Sequence, residues 1–194
     1  MIRSIAISIA TAAALFAVAS PASAYEIDIL TGKPLLVPDA NPTRAEVTAI
    51  PREEVAYSGR EAAGTIIVNS EERRLYFVLP GGRAVKYAVG VGRPGFGWGG
   101  VKHVERKAEW PAWTPPAQML KRRPDLPTHM EGGIDNPLGA RAMYLSGSLF
   151  RIHGSNEPET IGQAVSSGCI RMTNEDVIDL YQRVRVGTKV VVLR

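Results

Sequence analysis

The sequence predicts a mostly β domain with one helix near its C-terminus and one long irregular insertion. Short runs of β-branched and aromatic residues, bounded by glycine, proline and other turn formers, recur from residue 64 onward. Such runs are typical of β-strands. Only residues 173–184 have apolar positions at helical spacing. Residues 109–140 are rich in proline and follow neither pattern, which predicts an insertion without regular structure.

The strands are predicted from β-rich runs that lie between turn residues. They are residues 65–68, 75–79, 84–89, 101–107, 141–145, 149–152 and 189–193. The first three are short and are joined by tight turns, such as Pro80-Gly81-Gly82, which describes an antiparallel meander. A hairpin is predicted around Ser146-Gly147-Ser148. It places the residues that follow at a strand end, where side chains can face a cleft.

Two stretches lack a strand or helix pattern. Residues 90–100 are dense in glycine, but they contain no Gly-Lys-Ser/Thr sequence and precede no helix, so we interpret them as a flexible rim loop rather than a phosphate loop. Residues 109–140 are too long for a simple connection and are expected to be functional or mobile. Their Trp110 and Trp113 either stack on a substrate or close the edge of the core, and the sequence favours neither role.

The predicted helix begins at a capping sequence. Thr173-Asn174-Glu175-Asp176 resembles a capping box with Asp in place of the usual Glu or Gln. The apolar face of the helix is predicted to consist of Val177, Ile178, Tyr181 and Val184. Gly187 ends this segment, and a buried strand follows. A short helical turn is also predicted within residues 158–164.

The N-terminus predicts export. Arg3 precedes an apolar stretch from Ile5 to Val18, and Ala22-Ser23-Ala24 offers a small-residue cleavage site, so residues 1–24 are interpreted as a signal peptide. The alternative is a retained membrane anchor, but the apolar run is shorter than the roughly 20 residues that span a bilayer. Residues 25–60 are predicted to be a proline-rich arm, and residues 61–194 the catalytic domain. The mature protein is therefore expected in the periplasm or secreted to the cell envelope, with no stable membrane span.

The charge balance is mildly basic. The chain has 23 Lys and Arg against 19 Asp and Glu, and no dense basic block with interleaved aromatic residues. Because that block is the usual sequence pattern of nucleic-acid binding, no nucleic-acid partner is predicted. The mild excess of positive charge is compatible with an anionic cell envelope.

Cys169 is the only cysteine of the chain, so it has no partner for an intrachain disulfide in an exported protein. We interpret it as a thiolate nucleophile, because His153 lies sixteen positions upstream and can act as its base. Arg171 is predicted to share a strand face with Cys169, where it could favour the thiolate or bind a substrate carboxylate. The backbone N–H groups of Ser167, Gly168 and Cys169 are candidate donors to a developing oxyanion.

Other roles for these residues stay open at this point. A free cysteine is often a buried, unreactive apolar residue. A metal site would have to draw on His103, His129, His153 and Cys169, whose spacing is not that of a metal centre. We therefore predict that no metal binds.

Two blocks resemble a known family. Ile152-His153-Gly154 and Ser166-Ser167-Gly168-Cys169-Ile170-Arg171-Met172 are similar to the signature of the L,D-transpeptidase catalytic domain (YkuD-type). The resemblance extends from about Gly64 to the C-terminus and includes residues 136–141. It implies a β-sandwich. Many members have histidine where this chain has Ser167, which leaves His153 as the base unless His103 or His129 folds into the site.

The resemblance implies chemistry on peptidoglycan stem peptides, in cell-wall biogenesis and the maintenance of cell shape. Cys169 would attack the carbonyl of the third residue, D-alanine would leave with a proton from His153, and the acyl group would pass to an amine. The acceptor would be another stem (a 3→3 cross-link), an envelope protein, a free D-amino acid or water. Gly154 would orient the histidine through its carbonyl. No cofactor is implied, and carbapenems would acylate Cys169.

Two alternatives remain. The same site would make a hydrolase, a cysteine carboxypeptidase or amidase, if water were the acceptor. If Cys169 were buried and unreactive, the chain would be a peptidoglycan-binding module without catalysis.

Overall fold

The structure is a computed structural model that describes residues 50–194. The predicted signal peptide and residues 25–49 of the predicted arm lie outside the described residues. The strands of the described part are β1 (Glu53–Ala56), β2 (Ile66–Asn69), β3 (Arg74–Leu79), β4 (Arg83–Ala88), β5 (Val91–Gly92), β6 (Gly100–Glu109), β7 (Arg141–Leu145), β8 (Arg151–His153), β9 (Ala164–Ser166), β10 (Ile170–Arg171) and β11 (Lys189–Leu193). The helices are α1 (Ala117–Arg122), α2 (Asn174–Arg183) and a 3₁₀ turn at Pro158–Thr160.

The strands form one large sheet in the order β1-β4-β3-β2-β11-β6-β7-β8-β10, and β5 pairs with β9 beside it. Strand β6 belongs to both halves of this sheet. Its first residues pair with β11 and its last residues pair with β7, and the register shifts between Val104 and Arg106. A bulge lets one long strand bend from one sheet layer into the next. The predicted mostly β fold is confirmed.

Both halves of the sheet supply one hydrophobic core. Ile66, Leu75 and Val190 come from the first half, and Met143 and Ile152 from the second, and all are fully buried. Burial of these side chains is the main favourable term in folding. Because alternate residues of a strand point to opposite faces, the residues between the core positions of β7 and β8 face the other side.

Helix α2 begins as predicted, because the Thr173 hydroxyl accepts a hydrogen bond of 3.2 Å from the Asp176 N–H. Its buried face differs from the predicted one. Leu180, which the sequence interpretation left out, is fully buried with Val177, whereas Ile178 is only half-buried. At the other end, Lys107 donates to the carbonyl oxygens of residues 181 and 184, which places a cation at the negative end of the helix.

The structure adds elements that the sequence did not predict. Strand β1 lies within the segment predicted as an arm, where it pairs with β4. Strands β5, β9 and β10 have two or three residues each, too few for any periodic pattern. The insertion at 109–140 contains the short helix α1, and the predicted turn at 158–164 is helical only over Pro158–Thr160.

A buried hydrogen bond ties α2 to the sheet. Tyr87 of β4 is fully buried, and its hydroxyl donates to Asp179 at 2.5 Å. Burial opposes ionisation of Asp179, but hydrogen bonds from Arg183 and Tyr87 outweigh it and lower the pKa of the carboxyl. The acceptor is therefore ionised near neutral pH, and hydrogen bonds to charged groups are stronger than neutral ones.

We expect Tyr87→Phe to lower the free energy of unfolding by about 1.5–3 kcal/mol, because it removes a hydrogen bond to a charged group and leaves Asp179 less well satisfied. Urea denaturation followed by circular dichroism measures this change. Tyr76→Phe is the matched control, since the Tyr76 hydroxyl donates to exposed Glu72 and its loss should cost about 0.5 kcal/mol or less. Equal losses in the two variants would contradict the prediction.

Candidate active site

The parallel pairing of β8 with β10 brings the predicted catalytic residues to one face of the sheet. In its register, Ile152 lies opposite Ile170, and His153 lies opposite Arg171. The two isoleucines are buried in the core, so His153 and Arg171 share the opposite face. Cys169 directly precedes β10, so the same register continued by one residue sets it opposite Arg151, two positions before His153 on the same face.

The thiol of Cys169 faces a backbone carbonyl in this structure. Cys169 Sγ lies 3.9 Å from the carbonyl oxygen of Leu149, and within residues 50–194 no hydrogen bond joins it to the His153 ring. A contact between the thiol and His153 Nε2 would require the thiol to turn away from Leu149. Catalytic hydrogen bonds are often long in substrate-free structures and shorten when substrate binds.

His153 is held as a neutral base. Its Nδ1 lies 2.6 Å from the carbonyl oxygen of Gly154, so Nδ1 carries the proton and donates, and Nε2 keeps a free lone pair. Burial first, and then the charges of Arg171 and Arg151, together lower the pKa of His153 to about 3 against the opposing effect of the Gly154 hydrogen bond. The imidazole is thus unprotonated across the physiological range, which leaves the Nε2 lone pair free.

A set of hydrogen bonds shapes the turn that presents Cys169. The Ser166 hydroxyl donates to the carbonyl oxygen of Cys169 at 2.6 Å, and the Gly168 N–H donates to that hydroxyl at 3.1 Å. Gly168 has φ +108°, and a Cβ there would lie 2.5 Å from the Phe150 ring. Only glycine fits this backbone without strain. Because the Gly168 N–H is already bonded, the N–H groups of Ser167 and Cys169 are the better candidates for an oxyanion.

The other predicted residues lie in different surroundings. The Arg171 guanidinium pairs with Glu157 at 2.8 Å, and its side chain is 23% exposed. The His129 ring lies between Thr114 and Glu131, with contacts of 3.1 Å to each. His103 is an exposed residue of β6, opposite Lys189 of β11. His153 is therefore the imidazole that the register brings beside Cys169.

A comparison with known families identifies the chain. The family profile of the L,D-transpeptidase catalytic domain (YkuD) matches residues 63–192. The chain belongs to this family. Among curated relatives, Probable L,D-transpeptidase ErfK/SrfK of Escherichia coli K12 is 41% identical over 137 residues, which cover 66% of this chain and 43% of the relative. Probable L,D-transpeptidase YbiS of the same strain is 40% identical over 134 residues, covering 64% and 43%. The chain thus spans less than half the length of these relatives.

Solved structures agree on the fold of this family member. L,D-transpeptidase 3 from Mycobacterium tuberculosis superposes with a TM-score of 0.53 at 18% identity, covering 67% of this chain and 60% of that one. An L,D-transpeptidase from Mycobacterium smegmatis gives 0.54 at 16% identity, covering 67% and 58%.

Two residues of the glycine-dense loop, Arg93 and Trp98, contact the cysteine turn of this L,D-transpeptidase domain, and the sequence interpretation missed both. Trp98 Nε1 donates to the carbonyl oxygen of Gly168 at 2.7 Å, and its ring stacks on Phe150 at 4.6 Å. Arg93 Nη1 donates to the hydroxyl of Ser167 at 3.2 Å. The parallel pairing of β5 with β9 places the loop there. In the sequence, the only local sign of these contacts was that Arg93 and Trp98 stand among glycines.

The insertion is held at its base by a buried amide. Asn136 is 1% exposed; its Nδ2 donates to the carbonyl oxygens of Met130 and Glu131, and its Oδ1 accepts from the Leu138 N–H. Trp113 pairs with Met130 through backbone hydrogen bonds in both directions. Both insertion tryptophans, Trp110 and Trp113, are half-buried, so their two predicted roles stay open.

Residues 50–194 contain no cluster of three or more His, Cys, Asp or Glu side chains that could hold a metal ion. In the same part of the chain, no helix combines the length and the apolar character needed to cross a membrane.

Proposed function

We propose that this protein is a peptidoglycan L,D-transpeptidase that acts at the cell envelope through a Cys169 acyl-enzyme. The observation that carries the proposal is the register of β8 and β10, which puts Cys169 and a neutral His153 on one face of the sheet. Family membership supports the same chemistry. The predicted signal peptide supports action in the periplasm or at the envelope.

In the first half-reaction, Cys169 Sγ forms a bond to the carbonyl carbon of the third stem residue, and its proton moves to His153 Nε2. The Gly154 carbonyl keeps the ring in the tautomer that can accept this proton. The N–H groups of Ser167 and Cys169 bind the oxyanion. The carbonyl–nitrogen bond to the terminal D-alanine then breaks, and its nitrogen takes the proton from His153, leaving a thioester.

In the second half-reaction, an amine attacks the thioester carbonyl and gives a proton to His153. The carbon–sulfur bond breaks, and the sulfur leaves as the thiolate or takes that proton back as the thiol. An amine from another stem yields a 3→3 cross-link, and a lysine of an envelope protein yields protein attachment. No cofactor takes part in these steps. Water in the same position yields a tripeptide by carboxypeptidase action.

Incubation of the mature protein with defined tetrapeptide muropeptides, followed by mass spectrometry, tests the proposal. We expect dimers that have lost one D-alanine, at a yield that rises with acceptor concentration. Products that consist of tripeptide monomers alone would replace the transpeptidase by a carboxypeptidase. Unchanged tetrapeptides, with a thiol that resists labelling, would favour a binding module instead.

A further inference from the structure

A row of side chains crosses the site face of the sheet and ends at the nucleophile. Arg106 of β6 lies opposite Tyr144 of β7, and Tyr144 lies opposite Arg151 of β8. Since Ile152 lies opposite Ile170 in the next pair of strands, Cys169 follows beside Arg151. Residues in register on one face are direct neighbours across strands. Continued one residue before this pair, the register therefore sets Arg151 opposite Cys169.

Arg151 has no polar partner in the described part of the chain. Its side chain is half-buried, and its Nε is buried without a hydrogen-bond acceptor. Its guanidinium lies over the ring of Tyr144, with Cζ 5.2 Å from the ring centroid. A buried charged donor without an acceptor is unfavourable. By contrast, Arg171, for which a carboxylate-binding role was predicted, already pairs with Glu157.

We propose that Arg151 binds the terminal carboxylate of the donor peptide and so selects stems that end one residue after the scissile bond. This assignment rests on the proposed function. Consecutive Cα atoms lie about 3.8 Å apart, and neighbouring strands lie about 4.8 Å apart. With the attacked carbonyl at Cys169, the carboxylate one residue further on comes within reach of a guanidinium on the adjacent strand. Arginine binds carboxylates by two parallel hydrogen bonds.

The assignment has a consequence for specificity. The carboxylate supplies the acceptor that the Arg151 Nε and its neighbouring nitrogens lack. A donor whose C-terminus is a carboxamide has lost the negative charge. A donor whose chain continues for another residue carries its carboxylate further from Arg151. Both should react more slowly than the tetrapeptide acid.

The experiment compares two donors and two matched variants. The donors are a tetrapeptide stem with a free C-terminal carboxylate and the same stem with a C-terminal carboxamide; release of D-alanine or D-alaninamide gives kcat/KM for each. We expect the wild type to prefer the acid by about tenfold or more, and Arg151→Gln to lose about 10- to 100-fold on the acid alone. Arg106→Gln is the control, because its guanidinium stacks on the same Tyr144 ring at 3.6 Å, but its strand β6 lies three strands away from β10, which Cys169 precedes; it should keep the preference.

Two further measurements separate binding from other roles of Arg151. Alkylation of the single cysteine by neutral iodoacetamide should stay within about threefold of wild type in Arg151→Gln, since it needs no carboxylate. Arg151→Lys should keep the fold and an intermediate preference, because lysine retains the charge without the planar fork. Thermal unfolding checks that both variants are folded.

Several results would overturn the assignment. An equal loss on both donors, or a parallel loss of iodoacetamide reactivity, would assign Arg151 to the thiolate rather than to the substrate. Wild-type turnover of both donors without preference would remove Arg151 from specificity while leaving the proposed function intact. Turnover of neither donor by the wild type would reject the proposed function, and this assignment with it.

Discussion

Cys169→Ala is expected to abolish covalent adduct formation with a carbapenem. The acyl-enzyme requires a sulfur nucleophile, and the chain has no other cysteine. Its loss removes the bond-forming atom rather than slowing the reaction, so the adduct should fall below detection. Mass spectrometry of the intact protein after incubation with the carbapenem measures it as an added mass.

Two variants make this result specific. Ser148→Ala removes a hydroxyl near the β7–β8 turn, where it donates to the Leu145 carbonyl oxygen, and should leave the adduct yield unchanged. Cys169→Ser keeps the size of the side chain and should also lack the adduct at short times, since serine is the weaker nucleophile. An adduct of wild-type yield on Cys169→Ala would exclude the residue as the nucleophile.

His153→Gln is expected to reduce the rate of Cys169 acylation by about 100- to 10,000-fold, the usual range for a general acid–base group. Glutamine can keep a hydrogen bond to the Gly154 carbonyl, but it cannot accept the thiol proton. The loss should therefore appear in the rate while the fold is retained. Stopped-flow or quenched mass spectrometry under single-turnover conditions measures it. His129→Gln is the control, because His129 contacts Thr114 and Glu131 in the insertion; a similar loss there would reassign the base.

The pH dependence of the same reaction tests the neutral state of His153. Burial, then the charges of Arg171 and Arg151, lower its pKa to about 3, so the base form persists through pH 5, where an ordinary histidine is mostly protonated. The unfolded chain, with a pKa near 6.5 for this residue, binds the extra proton first. Stability is therefore fully present above about pH 6.5 and falls toward pH 3, by up to about 1.4 kcal/mol per pH unit.

His153→Gln should remove this part of the pH dependence, which makes the variant useful a second time. Urea denaturation of the wild type and the variant between pH 4 and pH 7 measures the difference in their free energies of unfolding. A wild-type acylation rate that halves near pH 6.5, together with parallel stability curves for the two proteins, would show an ordinary, exposed imidazole.

Much of the fold was predictable because its signals are local. The strand runs at 66–69, 74–79 and 189–193 lie within one residue of the predicted bounds. The Thr173 cap is a contact between residues three positions apart, so its residue types are visible in one short window. Leu180 was missed for a local reason as well, since the apolar residues at 177, 178, 180, 181 and 184 permit more than one buried face.

The candidate site was predictable in its residue types rather than in its geometry. A lone cysteine and a histidine upstream suggested the chemistry, and the resemblance to a family signature named both residues as candidates. That signature did not indicate that the thiol rests against Leu149 or that the Gly168 N–H is already bonded to Ser166. Such contacts depend on side-chain rotation and turn geometry, which no spacing of residues encodes.

The amino-acid order by itself determined the longer strands, where α2 begins and which residues are candidates for nucleophile and base. Tertiary structure alone decided the parallel pairing of β8 with β10, the return of the glycine-dense loop to Ser167 and Gly168, and the burial of the Arg151 Nε without an acceptor among residues 50–194. The physical reason is the separation along the chain over which each interaction acts. Strand propensity and helix capping act between near neighbours in the chain, whereas register, burial and the partner of a charge depend on segments that meet only after the sheet has closed around its core.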